Sequence, residues 1–115
     1  MDPITDLCSI RCVVGRGGVT IQIDGELDLA TAPLLAAALD GVDGESGAVL
    51  LDISGLKFCD GAGLRVLELT RQRLGERFQV RGASPFVLRL AEIVGMTWIA
   101  HEDTVSRPRY GDQPS

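Results

Sequence analysis

The chain is short of basic charge, of aromatic residues and of histidine. Its 115 residues hold 11 Lys and Arg against 16 Asp and Glu, for a formal net charge of −5. Lys57 is the only lysine. A nucleic-acid binder normally shows the opposite balance, with Lys and Arg gathered on one face, so direct nucleic-acid binding is not expected. No apolar run approaches the ~18 residues that span a bilayer, and membrane insertion is not expected either. The opening residues, Met1-Asp2-Pro3-Ile4-Thr5-Asp6, are acidic and lack the basic-then-apolar pattern of a signal peptide. The expected location is therefore the cytoplasm. Three cysteines, Cys8, Cys12 and Cys59, form no CxxC pair, and the single histidine, His101, is distant in sequence. No zinc site and no other cofactor is expected from this set, and the thiols are expected to be reduced.

What is present is a globular composition. The hydrophobic fraction is 45%, and a chain of this length can hold one core without metals or disulfides. Cys8, Ile10, Cys12 and Val14 alternate, as do Val19, Ile21 and Ile23, and Gly15-Arg16-Gly17-Gly18 lies between them. That pattern predicts a β-hairpin. Gly25-Glu26-Leu27-Asp28-Leu29 reads as a connecting loop. Thr31 as N-cap and Pro33 in the first turn open a helix over 32–41. Residues 48–53 are apolar on both alternating sets, which predicts a strand covered on both faces, with Leu51 and Ile53 buried. Ser54-Gly55 reads as the turn that follows it.

Asp60 is placed to cap a second helix over about 61–76. Gly63, Val66, Leu67, Thr70 and Leu74 share its buried face, and Arg65, Glu68, Gln72 and Glu76 share the opposite one. Phe78, Val80 and Ala83 suggest a further strand. Ser84 and Pro85 open a third helix, with Val87, Leu88, Ala91 and Ile93 or Val94 as its buried stripe. Trp98-Ile99-Ala100 reads as a short edge strand, and 104–115 as a mobile tail after a single domain spanning 1–103. The fold class is α/β: a mixed central sheet with three or four crossing helices, in the order ββαβαβα with a final β optional.

Few residues suggest catalysis. The strand ending at Asp52-Ile53-Ser54-Gly55 superficially resembles the nucleophile loop of haloacid-dehalogenase-like phosphatases. Ser54 replaces the second carboxylate, however, and magnesium would have too few ligands. His101 has no identifiable carboxylate or serine partner. Asp60-Gly61-Ala62-Gly63 opens a helix, where N–H groups can face an anion, but without a Walker lysine the signal is weak.

Two stretches together carry a family resemblance. Gly25-Glu26-Leu27-Asp28-Leu29-Ala30-Thr31-Ala32-Pro33-Leu34 is similar to the segment that opens the first helix of STAS domains. The stretch from Asp52 to Leu64 resembles their central signature, in which Asp-Leu-Ser-Gly leads to Asp-Ser-Ser-Gly-Leu at a helix start. A lone STAS domain of this length most resembles the bacterial anti-sigma factor antagonists. The resemblance implies a binding protein rather than an enzyme, whose partner is an anti-sigma factor with a kinase-like fold and whose action frees a sigma factor. It implies partner contacts at Asp28, Thr31, Cys59, Asp60, Gly61, Ala62, Arg65 and Glu68. In the family, the kinase phosphorylates the first serine of Asp-Ser-Ser-Gly. Here that position is Gly61, and the next serine falls on Ala62, so no phosphorylation is expected at the family position. Cys59, directly before a helix start, is considered as a redox-sensitive substitute, because a helix dipole can lower a thiol's pKa. The alternative within the fold is a STAS subunit docking on the ATPase of a membrane transporter. A weak homodimer is a further assembly left open.

Overall fold

The computed structural model describes residues 8–42 and 47–99. Strands β1 (Cys8–Val14) and β2 (Gly18–Leu27) form the expected hairpin, closed by a hydrogen bond from Gly15 N–H to the Gly18 carbonyl at 2.8 Å. Helix α1 (Ala32–Gly41) leads to β3 (Ala48–Cys59), and α2 (Gly61–Leu74) leads through a 3₁₀ turn, Gly75–Arg77, to β4 (Phe78–Arg81). Helix α3 (Pro85–Ile93) follows. The sheet order is β1-β2-β3-β4, with β1 antiparallel to β2 and the other pairs parallel. This is the mixed sheet that the sequence pattern predicts.

The helices pack on one face only. Val19, Ile21 and Ile23 of β2, Val49, Leu51 and Ile53 of β3, and Phe78 and Val80 of β4 are buried with Leu35 and Leu39 of α1, Leu64 and Leu67 of α2, and Val87 and Ala91 of α3. Leu51 and Ile53 are buried as expected, at 0% and 2% exposure. The other face carries a polar row in register across all four strands, Arg11, Gln22, Asp52 and Arg81. Two-sided cover of β3 is therefore not found among the described residues, and Leu50 on the open face is only half-buried.

Of the connecting loop expected over 25–29 the first three residues prove to be strand, and the turn expected at Ser54-Gly55 is strand throughout. β2 runs on to Leu27, and β3 runs through Ser54-Gly55 to Cys59. The register with β2 shifts between Gln22 and Asp24 and again between Gly25 and Glu26. At each shift β3 contributes one more residue than β2. Such bulges reset the two-residue alternation, so the buried set on β3 runs Val49, Leu51, Ile53, Leu56, Cys59.

The third helix also differs from expectation. Ser84 caps it, accepting from Val87 N–H at 3.2 Å, but Ile93 and Val94 are 71% and 53% exposed. The chain turns at Gly95, and Met96 N–H donates to the Ala91 carbonyl at 2.8 Å. Met96 and Ile99 then enter the core in place of Ile93 and Val94. Residues 97–99 are helical, not an edge strand. The Trp98 indole N–H donates to Glu68 Oε1 at 2.9 Å, its ring lies under Arg71 at 4.8 Å, and Phe78 packs at 6.0 Å. These contacts turn the segment toward α2 instead of along β4. Ala100, His101 and the expected tail over 104–115 lie outside the described residues.

Candidate partner-binding surface

Two strand-to-helix connections leave the sheet at the ends of adjacent parallel strands. The first, from β2 to α1, is tied by side chains. Asp28 Oδ1 accepts from the N–H groups of Ala30 and Thr31 at 3.0 and 3.1 Å. The Thr31 hydroxyl accepts from Asp28 N–H at 2.9 Å and donates to the Glu26 carbonyl at 2.7 Å. Thr31 stands at the N-cap position, yet its side chain makes no capping bond to the helix and is fully buried. It fastens the loop from behind, and Asp28 satisfies the N–H groups of the turn.

The second connection, from β3 to α2, is more open. Asp60 N–H donates to the Leu27 carbonyl at 3.1 Å, which fixes this turn against the first. Asp60 Oδ1 accepts from Gly63 N–H at 3.1 Å, the predicted cap. A Cβ on Gly63 would lie 2.6 Å from Leu27 Cγ, so glycine is required for the helix to approach β2. Gly61 is the reverse case. It is exposed, and a Cβ there would meet nothing within 4 Å. Ala62 is half-buried against the core.

Cys59 is buried, and its thiol lies 3.6 Å from the Asp60 carbonyl. Burial, helped by the Asp60 carboxylate, pushes its pKa up to about 11. This runs against the expectation of a thiol activated by the helix start, because burial and the adjacent carboxylate both favour the protonated form. Asp52 stands apart, on the open face. Burial pulls its carboxyl up, but the N–H and hydroxyl of Ser54 and the Arg81 guanidinium at 3.3 Å outweigh that and hold it below its ordinary value. Asp52 is occupied as an ion-paired sheet residue. Among the described residues no group of three or more His, Cys, Asp or Glu could hold a metal ion.

From Gly61 a groove of about 300 Å³ runs along α2, lined by Leu64, Arg65 and Glu68 on one side and Val94, Gly95 and Met96 on the other. Arg65 is exposed on its rim. Glu68 is held on both oxygens, by Trp98 and by Gln72 at 3.3 Å. It shapes the groove wall rather than standing as a loose surface charge. Exposed apolar side chains occur nearby: Leu29 in the first connection at 78%, Phe58 near the end of β3 and Phe86 in the first turn of α3, the two rings stacking at 6.5 Å. Sequence reasoning missed Val94, Met96, Leu29, Phe58 and Phe86. The one signal available was that Ile93-Val94 offers two apolar residues for a single place in the stripe of α3.

The structure therefore brings Asp28, Asp60, Gly61, Ala62, Arg65 and Glu68 to the two connections and the groove, with Thr31 and Cys59 buried behind them. Among the described residues these positions form one continuous surface at the ends of β2 and β3. A family model described as "Mlab, STAS domain" matches residues 14–99, and the chain belongs to the STAS domain family. It is 29% identical over 94 residues to the anti-sigma-F factor antagonist RsfB of Mycobacterium tuberculosis, covering 79% of this chain and 77% of that protein. The crystal structure of an anti-sigma factor antagonist from Mycobacterium paratuberculosis superposes with a TM-score of 0.72 at 27% identity, covering 84% of this chain and 83% of that one. The anti-sigma factor antagonist SpoIIAA in its unphosphorylated form shares the fold, with a TM-score of 0.66 at 18% identity over 78% of this chain and 84% of that one. The class that the sequence relatives' names define is the anti-sigma factor antagonist. No helix among the described residues is long and apolar enough to cross a membrane.

Proposed function

We propose that this protein is an anti-sigma factor antagonist of the cytoplasm that works without the family's phosphorylation switch. It binds a kinase-like anti-sigma factor through the Asp60–Gly61 helix start and the adjoining groove, and so releases a sigma factor. The observation that carries the reading is Gly61: an exposed, open position beside a groove, where the family places its phosphoacceptor serine. Phosphoryl transfer needs a hydroxyl presented in line with the γ-phosphate. Gly61 and Ala62 supply none. A phosphate here would add a charge of about −1.5 to −2 to a docking surface; without it, binding is set by the amounts of the two proteins.

The test is titration of the purified chain against the anti-sigma factor captured with it, then incubation of the pair with labelled ATP. Binding is expected, with no label on the wild type and label on Gly61→Ser. Arg65→Glu on the groove rim is expected to weaken binding while leaving thermal stability unchanged. Stoichiometric labelling of the wild type would overturn the missing switch. Capture of a membrane transporter's ATPase in place of an anti-sigma factor would overturn the antagonist reading in favour of a transporter subunit.

A further inference from the structure

β1 is an edge strand, and nothing pairs with its outer side among the described residues. A free edge offers unpaired N–H and C=O groups, and soluble proteins blunt such edges with lysine, proline, a bulge or short length. β1 has none of these. It is seven residues long, and its register with β2 runs unbroken from Cys8↔Gly25 to Val14↔Val19. Its one charge, Arg11, donates to Gln22 of its own chain at 3.0 Å. The helix layer also stops short of it. On the helix side of the sheet, Val19, Ile21 and Ile23 of β2 are buried, while their β1 neighbours Val14, Cys12 and Ile10 are 76% exposed, exposed and half-buried respectively. Val13 on the other face is 60% exposed.

We infer that this edge pairs antiparallel with β1 of a second copy, about a twofold axis at Cys12, so that two sheets join into one with both helix layers on the same face. The strand's own sequence selects this register. A twofold at Cys12 sets Ile10 opposite Val14 of the second copy and Arg11 opposite its Val13, so the apolar residues that the helices leave bare cover one another. A twofold one residue earlier would set Arg11 against Arg11, and like charges directly opposite destabilise a strand pair. A second copy therefore completes the row better than an arbitrary strand does. The pairing is small beside a standard interface of about 1,600 Å², so the dimer is weak, with Kd on the order of micromolar to millimolar. The edge shares no residue with the groove at Gly61, and each dimer would present two grooves.

Sedimentation equilibrium of the full chain, from about 10 μM to about 1 mM, tests this without the sigma-factor machinery. A reversible monomer–dimer equilibrium is expected. Cys12→Lys places two lysines face to face, and Val13→Lys sets a lysine against Arg11 of the second copy. Each is expected to weaken association at least about tenfold while leaving the thermal transition in place, since both positions are exposed. Residues directly opposite in an antiparallel pair have Cα atoms about 4.5–5.5 Å apart, within the range of a disulfide. Diamide, which takes one hydrogen from each of two thiols and joins the sulfurs, is expected to link wild-type dimers through Cys12. Cys12→Ser is expected to lose the link and keep the reversible dimer. A wild type that stays monomeric at about 1 mM, a dimer indifferent to both lysines, or a link formed through Cys8 or Cys59 would each overturn the proposal.

Discussion

The β2–α1 and β3–α2 connections begin alike and end differently. Both follow parallel strands, paired at Leu27↔Cys59, and in both an aspartate accepts from N–H groups of the turn. In the first, a buried threonine hydroxyl ties Glu26 and Asp28 together. In the second, a single side-chain bond caps the helix, one backbone bond ties the turn to Leu27, and a glycine with open space above it faces solvent. One loop spends its polar groups on itself. The other leaves its helix start uncovered, which makes it suited to meeting another molecule.

Breaking the first connection should cost most. Thr31→Val keeps the shape but strands Asp28 N–H and the Glu26 carbonyl, and should destabilise by about 2–4 kcal/mol in denaturant titration. The second connection buries a titratable group where the first buries a hydroxyl. The Cys59 thiol is raised from 9.0 to about 11. As pH climbs through that window the unfolded chain loses this proton before the folded one does, so stability falls with rising pH, by at most about 2–3 kcal/mol. Stability curves of wild type and Cys59→Ala should diverge in slope across that window. Part of the alkaline slope remains in the variant, because burial also raises Cys8.

The two glycines of the second turn sharpen the contrast. Gly63→Ala drives a methyl into Leu27 and should cost about 1–2 kcal/mol, the overpacking penalty net of the gain in helix propensity. Gly61→Ser, two residues earlier, should move the melting transition by less than the equivalent of ~0.5 kcal/mol. A large loss from Gly61→Ser would show that the second turn is as closed as the first.

The sequence made this comparison only half legible. Helix α1, the Asp60 cap and the buried face of α2 could be read because capping residues and helical spacing leave local marks. The ends of β2 and β3 could not. Two bulges reset the alternation on β3, so a search for a two-residue period stops at Ile53 and takes Ser54-Gly55 for a turn. The role of Thr31 was hidden for a related reason. A threonine at an N-cap looks the same whether its hydroxyl turns forward to the helix or back to the strand. The groove was invisible because half of it comes from Val94, Gly95 and Met96, whose place depends on where the chain goes after α3. Trp98 decides that through contacts with Glu68 and Arg71, 30 and 27 positions away.

Trp98 has a practical consequence as well. It is the only tryptophan in the chain, and its indole N–H is bonded to a carboxylate that forms one wall of the groove. Indole emission responds to the charge and hydration around the ring. Whatever enters the groove and moves Glu68 changes the field at that one fluorophore, so the protein carries an intrinsic optical reporter of occupancy beside its own candidate binding site.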